Sequence, residues 1–186
     1  MPEPDEPSRF LAFEERGFIL VTIATPKMLR VIIDILTVLL REEHKSGIVI
    51  SVDRPHSYLA RLLEKRGVPQ DNLTYIDTVI GISGEALGSE SNLVQLASPF
   101  CMSILSNVFS TGLYDKKDTY PGFIVVDNVG ALKSFVSDSC IERFLKELND
   151  VKEMMAGGKC IIVMDKTAHP DLYEMIKKSD VREVAL

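Results

Sequence analysis

The sequence contains no tryptophan, and cysteine and histidine occur only three times each among 186 residues. The cysteines are Cys101, Cys140 and Cys160. None of the cysteines belongs to a C-x-x-C pair, which favours small buried side chains in a reducing compartment over disulfides. The histidines are far apart and lack metal-ligand spacing, so a zinc site is not expected.

Basic residues are also in the minority. The chain has 21 Lys and Arg against 27 Asp and Glu, for a net charge of -6. Phosphate backbones are bound by clustered Lys and Arg, so general nucleic-acid binding is not expected. The longest apolar stretch, Met28–Leu40, contains Arg30 and Asp34 and is too short to span a bilayer. Because no secretory signal is recognisable, we expect a cytoplasmic protein.

Apolar runs alternate with helical periodicity along most of the chain. Residues 1–16 are expected to form a disordered or loosely ordered leader, since the first eight are rich in Pro and acids. Strands are predicted at Phe18–Ala24, Ile48–Asp53, Leu73–Asp77, Gly122–Asp127, Cys160–Asp165 and Val181–Leu186. Helices are predicted from Pro26, from Pro55, and over residues 99–113, 140–155 and 171–178, with a surface excursion over 81–98. This order predicts one α/β domain over 17–186, with a doubly wound, mostly parallel sheet and helices on both faces.

Four of the predicted strands end in a carboxylate. The residues are Asp53, Asp77, Asp127 and Asp165. Ligands of such folds bind outside the carboxyl ends of the strands, which makes these side chains candidates for chemistry. Aspartate is also a common turn and cap residue at such positions, and that ordinary role stays open for each of them. Together they predict an acidic edge that repels a polyphosphate unless Mg²⁺ intervenes.

The turn after the first strand contains no glycine between Ala24 and Val31. A phosphate-binding loop of the form G-x-x-x-x-G-K-[ST] needs glycines for close backbone approach, a lysine for the phosphate oxygens and a hydroxyl for Mg²⁺. Met28 and Leu29 are bulky, and Val31 has no hydroxyl. The sequence therefore argues against phosphate binding here.

The order of the segments nevertheless resembles the RecA/KaiC-like branch of P-loop ATPases. In that branch the first loop often reads G-x-P-G-S-G-K-T, the second strand ends in a stretch like F-E-E-x-P, the third resembles F-I-D, and the fourth carries the Walker B pattern. The matching segments here are Ala24–Val31, Val52–Pro55, Tyr75–Thr78 and Phe123–Asn128, and Val129–Leu132 looks like the stretch that follows Walker B. The resemblance implies a RecA-like P-loop NTPase fold with a degenerate Walker A motif.

The departures from that pattern concern the residues of phosphoryl transfer. Asp127 matches the Walker B aspartate, but Arg30 stands where the family has lysine and Val31 where it has threonine. The acidic pair of KaiC-like enzymes is represented by Asp53 and Arg54. Phosphoryl transfer depends on positioning and electrostatics, so loss of several parts predicts no ATPase activity. No cofactor is expected.

Residual binding stays open as an alternative. Lys27, Arg30 and Arg54 are candidates for an anion site near the segment that matches the phosphate-binding loop, although solvated or salt-bridged surface positions are the favoured explanation. Asp53 and Asp127 complete the candidate nucleotide-binding set, with Asp127 as a metal ligand only if a magnesium nucleotide binds.

Three functional hypotheses follow from these residues. The first is a regulatory or scaffolding domain that binds a protein partner or itself, because RecA-like domains commonly assemble side by side. The second is a sensor for a small ligand at the strand ends, and the third is weak nucleotide binding without turnover.

Overall fold

The computed structural model describes residues 17–42, 46–79, 93–95, 121–155 and 158–186. The strands are β1 (Gly17–Thr22), β2 (Gly47–Ser51), β3 (Leu73–Asp77), β4 (Leu93–Gln95), β5 (Phe123–Val126), β6 (Lys159–Met164) and β7 (Arg182–Ala185). The α-helices are α1 (Thr25–Thr37), α2 (His56–Lys65), α3 (Asp138–Met154) and α4 (Pro170–Lys177). A π-helical turn, Val38–Glu42, extends α1, and a 3₁₀ helix, Val129–Ser134, follows β5.

The strands of the described residues form one sheet in the order β4-β3-β2-β5-β6-β1-β7. Every neighbouring pair is parallel. Five of the strands, β1, β2, β3, β5 and β6, are almost wholly buried, as expected for strands covered on both faces. The predicted α/β fold with a parallel sheet is confirmed.

Helices cover both faces of the sheet. On one face, the apolar sides of α1 and α2 pack with alternate residues of the central strands, such as Val21, Val49 and Val163. On the other face, the 3₁₀ helix, α3 and α4 pack with the intervening residues, such as Leu20 and Ile162. The two cores follow from the alternation of side chains along each strand.

Local signals account for the helix boundaries. Pro26 lies in the first turn of α1, where a missing N–H costs nothing. Helix α2 ends at Lys65 with Arg66 as its C-cap, and Gly67 then adopts a φ of 65°, the left-handed conformation that glycine tolerates best. Asp138 in the first turn of α3 and Lys152 in its last turn match the helix dipole.

One strand, β4, is not predicted by the sequence pattern. Leu93–Gln95 lies inside the stretch predicted as a surface excursion, but it pairs with β3 through Tyr75–Asp77. The segment is only three residues long and has no apolar alternation that would distinguish it from a loop. The predicted leader and the predicted helix over 99–113 lie outside the described residues. In the described part of the chain, no helix combines the length and apolarity needed to cross a membrane.

Candidate functional site

The strand order creates two places where connections leave neighbouring strands toward opposite faces. Helix α1 follows β1 onto one face, whereas α4 follows β6, the neighbour of β1, onto the other. In the same way α2 follows β2, and the 3₁₀ helix follows the neighbouring β5. Ligands of open α/β sheets bind in such crevices at the carboxyl ends of the strands. We refer to them as the β1/β6 crevice and the β2/β5 crevice.

Asp165 lies directly after β6, in the β1/β6 crevice, and its carboxylate is hydrogen-bonded on both sides. Its Oδ2 accepts hydrogen bonds from the backbone N–H of Thr25 at 2.9 Å and from the Thr25 hydroxyl at 2.8 Å. Its Oδ1 accepts from the hydroxyl and N–H of Thr167 and from the N–H of Ala168. These hydrogen bonds, with the Thr167 hydroxyl foremost, hold the pKa of Asp165 well below its ordinary value. The carboxylate is therefore ionised at neutral pH and fully engaged.

The first three residues of α1 consequently have no backbone N–H group available to bind an anion. Thr25 gives its N–H to Asp165, Pro26 has no N–H, and Lys27 donates its N–H to the carbonyl of Ala24 at 2.9 Å. A carboxylate at a helix N-terminus is favoured by the helix dipole, just as a bound phosphate would be. Asp165 therefore takes the position at which this turn would hold an anionic ligand.

The two basic residues of α1 face solvent rather than the strand ends. Lys27 is exposed, and the Arg30 side chain is 61% exposed, with its Nε 3.7 Å from Oδ2 of Asp34. Asp34 is buried and is also paired with Arg66. The structure thus places Arg30 in a helix-surface ion pair, the ordinary role that the sequence left open.

Asp127 lies at the centre of the β2/β5 crevice and is completely buried. Its Oδ1 accepts a hydrogen bond from the N–H of Val52 at 2.8 Å, which ties the end of β5 to the loop after β2. Its Oδ2 has no hydrogen-bond partner among the described residues, and the same holds for the buried hydroxyl of Ser51. Two orphaned polar atoms therefore lie at the ends of neighbouring strands on this edge of the sheet.

Burial raises the pKa of Asp127 to about 7. The hydrogen bond from Val52 opposes this rise, the negative charge of Asp53 adds to it and the positive charge of Arg54 offsets it. A carboxyl group that titrates near neutrality inside a crevice is the kind of group that functional sites contain.

Asp53 and Arg54 form an ion pair at the rim of this crevice. Arg54 Nη2 lies 3.1 Å from Oδ2 of Asp53, and both side chains are about one-third exposed or less. The structure therefore brings Asp53, Arg54 and Asp127 together after the neighbouring strands β2 and β5. It puts Lys27 and Arg30 after β1, which is three strand spacings, roughly 14 Å, from β2. The candidate nucleotide-binding residues thus fall into two groups.

A buried pair, His56 and Asp77, was not recognised from the sequence. His56 is the first residue of α2, and its Nδ1 lies 2.9 Å from Oδ2 of Asp77, which also accepts the His56 backbone N–H at 2.7 Å. Oδ1 of Asp77 accepts from the N–H of Val79, and Asp77 is fully buried. The signal was available, since a histidine at a helix start and an aspartate at a strand end both stood in the sequence. Their proximity depends on the β2–β3 register.

Three of the four strand-end aspartates share a structural role, whereas Asp53 pairs with its neighbour Arg54. Asp165 binds the first residue of α1, Asp77 binds the first residue of α2, and Asp127 binds the loop that leads to α2. Neither α1 nor α2 has a side-chain cap from its own N-cap residue. Each of these carboxylates therefore holds in place the chain that leaves a neighbouring strand.

Among the described residues, no group of three or more His, Cys, Asp or Glu side chains is suited to a metal ion.

Comparisons with known proteins place the fold. No family model matches the chain, and no curated protein matches its sequence. The KaiC-like protein PH0186 of the hyperthermophilic archaeon Pyrococcus horikoshii OT3 matches in structure with a TM-score of 0.61 at 14% identity, covering 94% of this chain and 74% of that one. The uncharacterized protein PH0321 of Pyrococcus horikoshii, solved with an unknown peptide, matches with a TM-score of 0.64 at 13% identity, covering 88% and 76%. The chain therefore has the RecA/KaiC-like α/β fold that its segment order resembles.

Proposed function

We propose that this chain is a non-catalytic RecA/KaiC-like domain that acts by binding a protein partner or a second copy of itself. The observation that carries the proposal is the pair of hydrogen bonds from Thr25 to Asp165. They fill the N-terminus of α1 with a carboxylate of the protein itself. A phosphate at the same turn would have to displace an ionised side chain that accepts hydrogen bonds from three residues.

Electrostatics and missing groups support the same proposal. A polyphosphate beside Asp165 meets a like charge in a partly buried setting, where repulsion is stronger than in bulk water. The cation that would compensate is engaged elsewhere, because Arg30 pairs with the buried Asp34 one turn further along α1. At Val31 there is no hydroxyl for a metal ion. Since phosphoryl transfer depends on these groups together, we expect no turnover of ATP.

The interaction role rests on the combination of a RecA/KaiC-like fold with replaced residues of phosphoryl transfer. PH0321, which has a similar fold, was solved with a peptide, and this weakly favours peptide or protein binding for the present chain. The expected location of the chain in the cytoplasm fits this role. Side-by-side assembly, which is common among RecA-like domains, is the form that self-association would take.

The test combines a phosphate-release assay with isothermal titration of ATP and ADP, each with and without Mg²⁺. We expect no binding heat at millimolar nucleotide and no phosphate release. The informative control is Asp127→Asn, with Asp138→Asn, at an exposed position at the start of α3, as its match. Phosphate release that requires Mg²⁺ and disappears only in Asp127→Asn would overturn the proposal, because a contaminating ATPase would respond to neither substitution.

Partner binding is tested separately by size-exclusion chromatography with light scattering. A concentration-dependent mass above the monomer supports self-association. A strict monomer restricts the proposal to a different protein as the partner.

A second candidate is a sensor of a small ligand or a nucleotide, without turnover, in the β2/β5 crevice. The Ser51 hydroxyl and Asp127 Oδ2, which have no hydrogen-bond partner among the described residues, favour it, since buried polar atoms are usually paired. If a magnesium nucleotide binds here, Asp127 is the residue that would hold the metal, but a single buried carboxyl oxygen is a poor magnesium site by itself. The test is a thermal-shift screen of metabolites and nucleotides, in which Ser51→Ala and Asp127→Asn should each abolish any stabilisation.

A further inference from the structure

The strongest unassigned feature is a cleft along the start of α2, with a volume of about 450 Å³. Its lining residues are Arg54, Pro55, Ser57, Tyr58 and Arg61. We call it the α2 cleft. The opposite side of the helix is the one that packs on the sheet, through His56, Leu59 and Leu63. The cleft therefore lies on the outward side of a firmly anchored helix.

The polar lining of the α2 cleft is cationic. It contains two arginines in a chain whose net charge is -6. Arg54 gives Nη2 to Asp53, while its Nη1 is buried and has no hydrogen-bond partner among the described residues. The Arg54 side chain is 26% exposed and lines the cleft, so it adds positive charge there that Asp53 partly offsets. Arg61, one turn of helix beyond Ser57, is exposed.

The apolar lining is exposed as well. Tyr58 is 47% exposed and, within the described ranges, only Leu186 is another exposed large hydrophobic residue. Pro55 lies beside it at the start of the helix. Tyrosine and arginine are enriched among the residues that carry most of the binding energy in protein interfaces. A tyrosine flanked by arginines is thus a suitable contact surface for a partner that is both apolar and acidic.

We propose that the α2 cleft binds an acidic peptide segment of a partner protein. An apolar side chain of the peptide packs on Tyr58 and Pro55, and an adjacent Asp or Glu carboxylate binds the exposed Arg61, with the charge of Arg54 beside it. This inference rests on the proposed interaction function and names the chemistry of the partner. A peptide fits better than a small molecule because, in the part of the chain that the structure describes, the lining comes from the single segment 54–61, whereas small-molecule sites enclose most of their ligand.

The experiment is a selection of random dodecapeptides displayed on phage against the purified full chain, followed by fluorescence anisotropy with synthetic versions of the enriched peptides. We expect enrichment of Asp or Glu next to an aromatic or aliphatic residue. Arg61→Glu and Tyr58→Ala should each weaken the binding of such a peptide by about tenfold or more. Lys146→Glu, the same charge reversal at an exposed position of α3 on the other face of the sheet, should leave it unchanged.

Several outcomes would overturn the inference. They are failure to enrich any peptide, enrichment of peptides without acidic residues, and equal weakening by Arg61→Glu and Lys146→Glu. Displacement of the peptide by ATP or inorganic phosphate at similar concentrations would reassign the cleft to a phosphate ligand. Because Arg61→Glu and Tyr58→Ala change exposed side chains, unchanged circular dichroism would exclude misfolding as the cause of weaker binding.

The result is separable from the proposed function. If no acidic peptide binds and ATP is not hydrolysed, the α2 cleft is wrong as the contact surface while the non-catalytic role stands. If ATP is hydrolysed, the proposed function fails whatever the peptides do.

Discussion

Asp165, at the end of β6, accepts hydrogen bonds from both the backbone N–H and the hydroxyl of Thr25, the first residue of α1. The two residues are 140 positions apart in the chain and meet because β1 and β6 are neighbours in the sheet. In this arrangement a strand-end aspartate serves as the cap of a helix that begins on another strand. The same carboxylate also fixes the turn after β6 through Thr167.

Replacement of Asp165 by alanine should destabilise the protein. The change removes the acceptor for Thr25 and for the N–H groups of Thr167 and Ala168, so we expect a loss of about 2 kcal/mol in the free energy of unfolding. Urea denaturation monitored by circular dichroism measures it. Asp165→Asn keeps an acceptor oxygen and should cost about half as much. Asp180→Ala, at an exposed position near the end of α4, should change the stability by less than about 0.5 kcal/mol.

Sequence patterns predict the long buried strands and the positions of the strand-end aspartates, but not the short strand β4 or the contacts that Asp165 makes. Buried strands such as β1 and β6 were predictable because their apolar β-branched runs are long, whereas β4 is too short to carry such a signal. The aspartates were visible as strand-end residues, and so was their possible role as caps. Which helix each one caps depends on the order of strands in the sheet, which periodicity does not encode. The contact between His56 and Asp77 depends on that strand order in the same way, so periodicity does not predict it.

Asp127 should make the protein less stable as the pH rises from about 4 to 7. Its pKa in the folded protein is about 7, against 3.8 for an ordinary aspartate, so in this range the folded state holds a proton that the unfolded state has released. The stabilising contribution is fully present below pH 3.8 and is lost as the pH passes 7. Between pH 5 and 8, the free energy of unfolding should fall by about 3 kcal/mol.

The control for this prediction is Asp127→Asn, which cannot ionise and should flatten the profile of unfolding free energy between pH 5 and 8. The other strongly shifted carboxyl groups do not interfere in this window. Hydrogen bonds lower the pKa of Asp165, and at Glu183 they outweigh burial and lower the pKa to about 2, so both stabilise above pH 5 and lose that contribution only in acid. An equal slope in the wild type and in Asp127→Asn would refute the role of Asp127.

Cys140 should react with thiol reagents at a lower pH than Cys160. The Ser137 hydroxyl lies 3.4 Å from the Cys140 sulfur and Arg143 Nη2 lies 3.6 Å from it, and these contacts lower the pKa of Cys140. Burial raises the pKa of Cys160, which is 0% exposed. In a Cys101→Ser background, iodoacetamide labelling read by mass spectrometry should modify Cys140 alone.

The same labelling assay tests whether the Arg143 guanidinium lowers the pKa of Cys140. Arg143→Ala should shift the labelling profile of Cys140 to higher pH, because it removes both a hydrogen-bond donor and a positive charge near the thiolate. Lys146→Ala, on the same helix but without a contact of this kind, should leave the profile in place. Equal labelling of both cysteines under native conditions would contradict the prediction.

Gly47 should be intolerant of even a single methyl group. A Cβ built at this position would overlap the ring of Phe123, the residue paired with Gly47 in the β2–β5 register. Gly47→Ala must push the ring or the strand aside, at a cost of about 1–3 kcal/mol in the free energy of unfolding. Gly67→Ala is the comparison, because its Cβ meets nothing within 4 Å and its cost, about 1 kcal/mol, comes from the positive φ alone.

Phe123→Leu should lower the cost of Gly47→Ala but leave that of Gly67→Ala unchanged, and a double-mutant cycle from urea denaturation measures this coupling. Strictly additive effects of Gly47→Ala and Phe123→Leu would show that the close approach of β2 to the Phe123 ring does not determine the requirement for glycine.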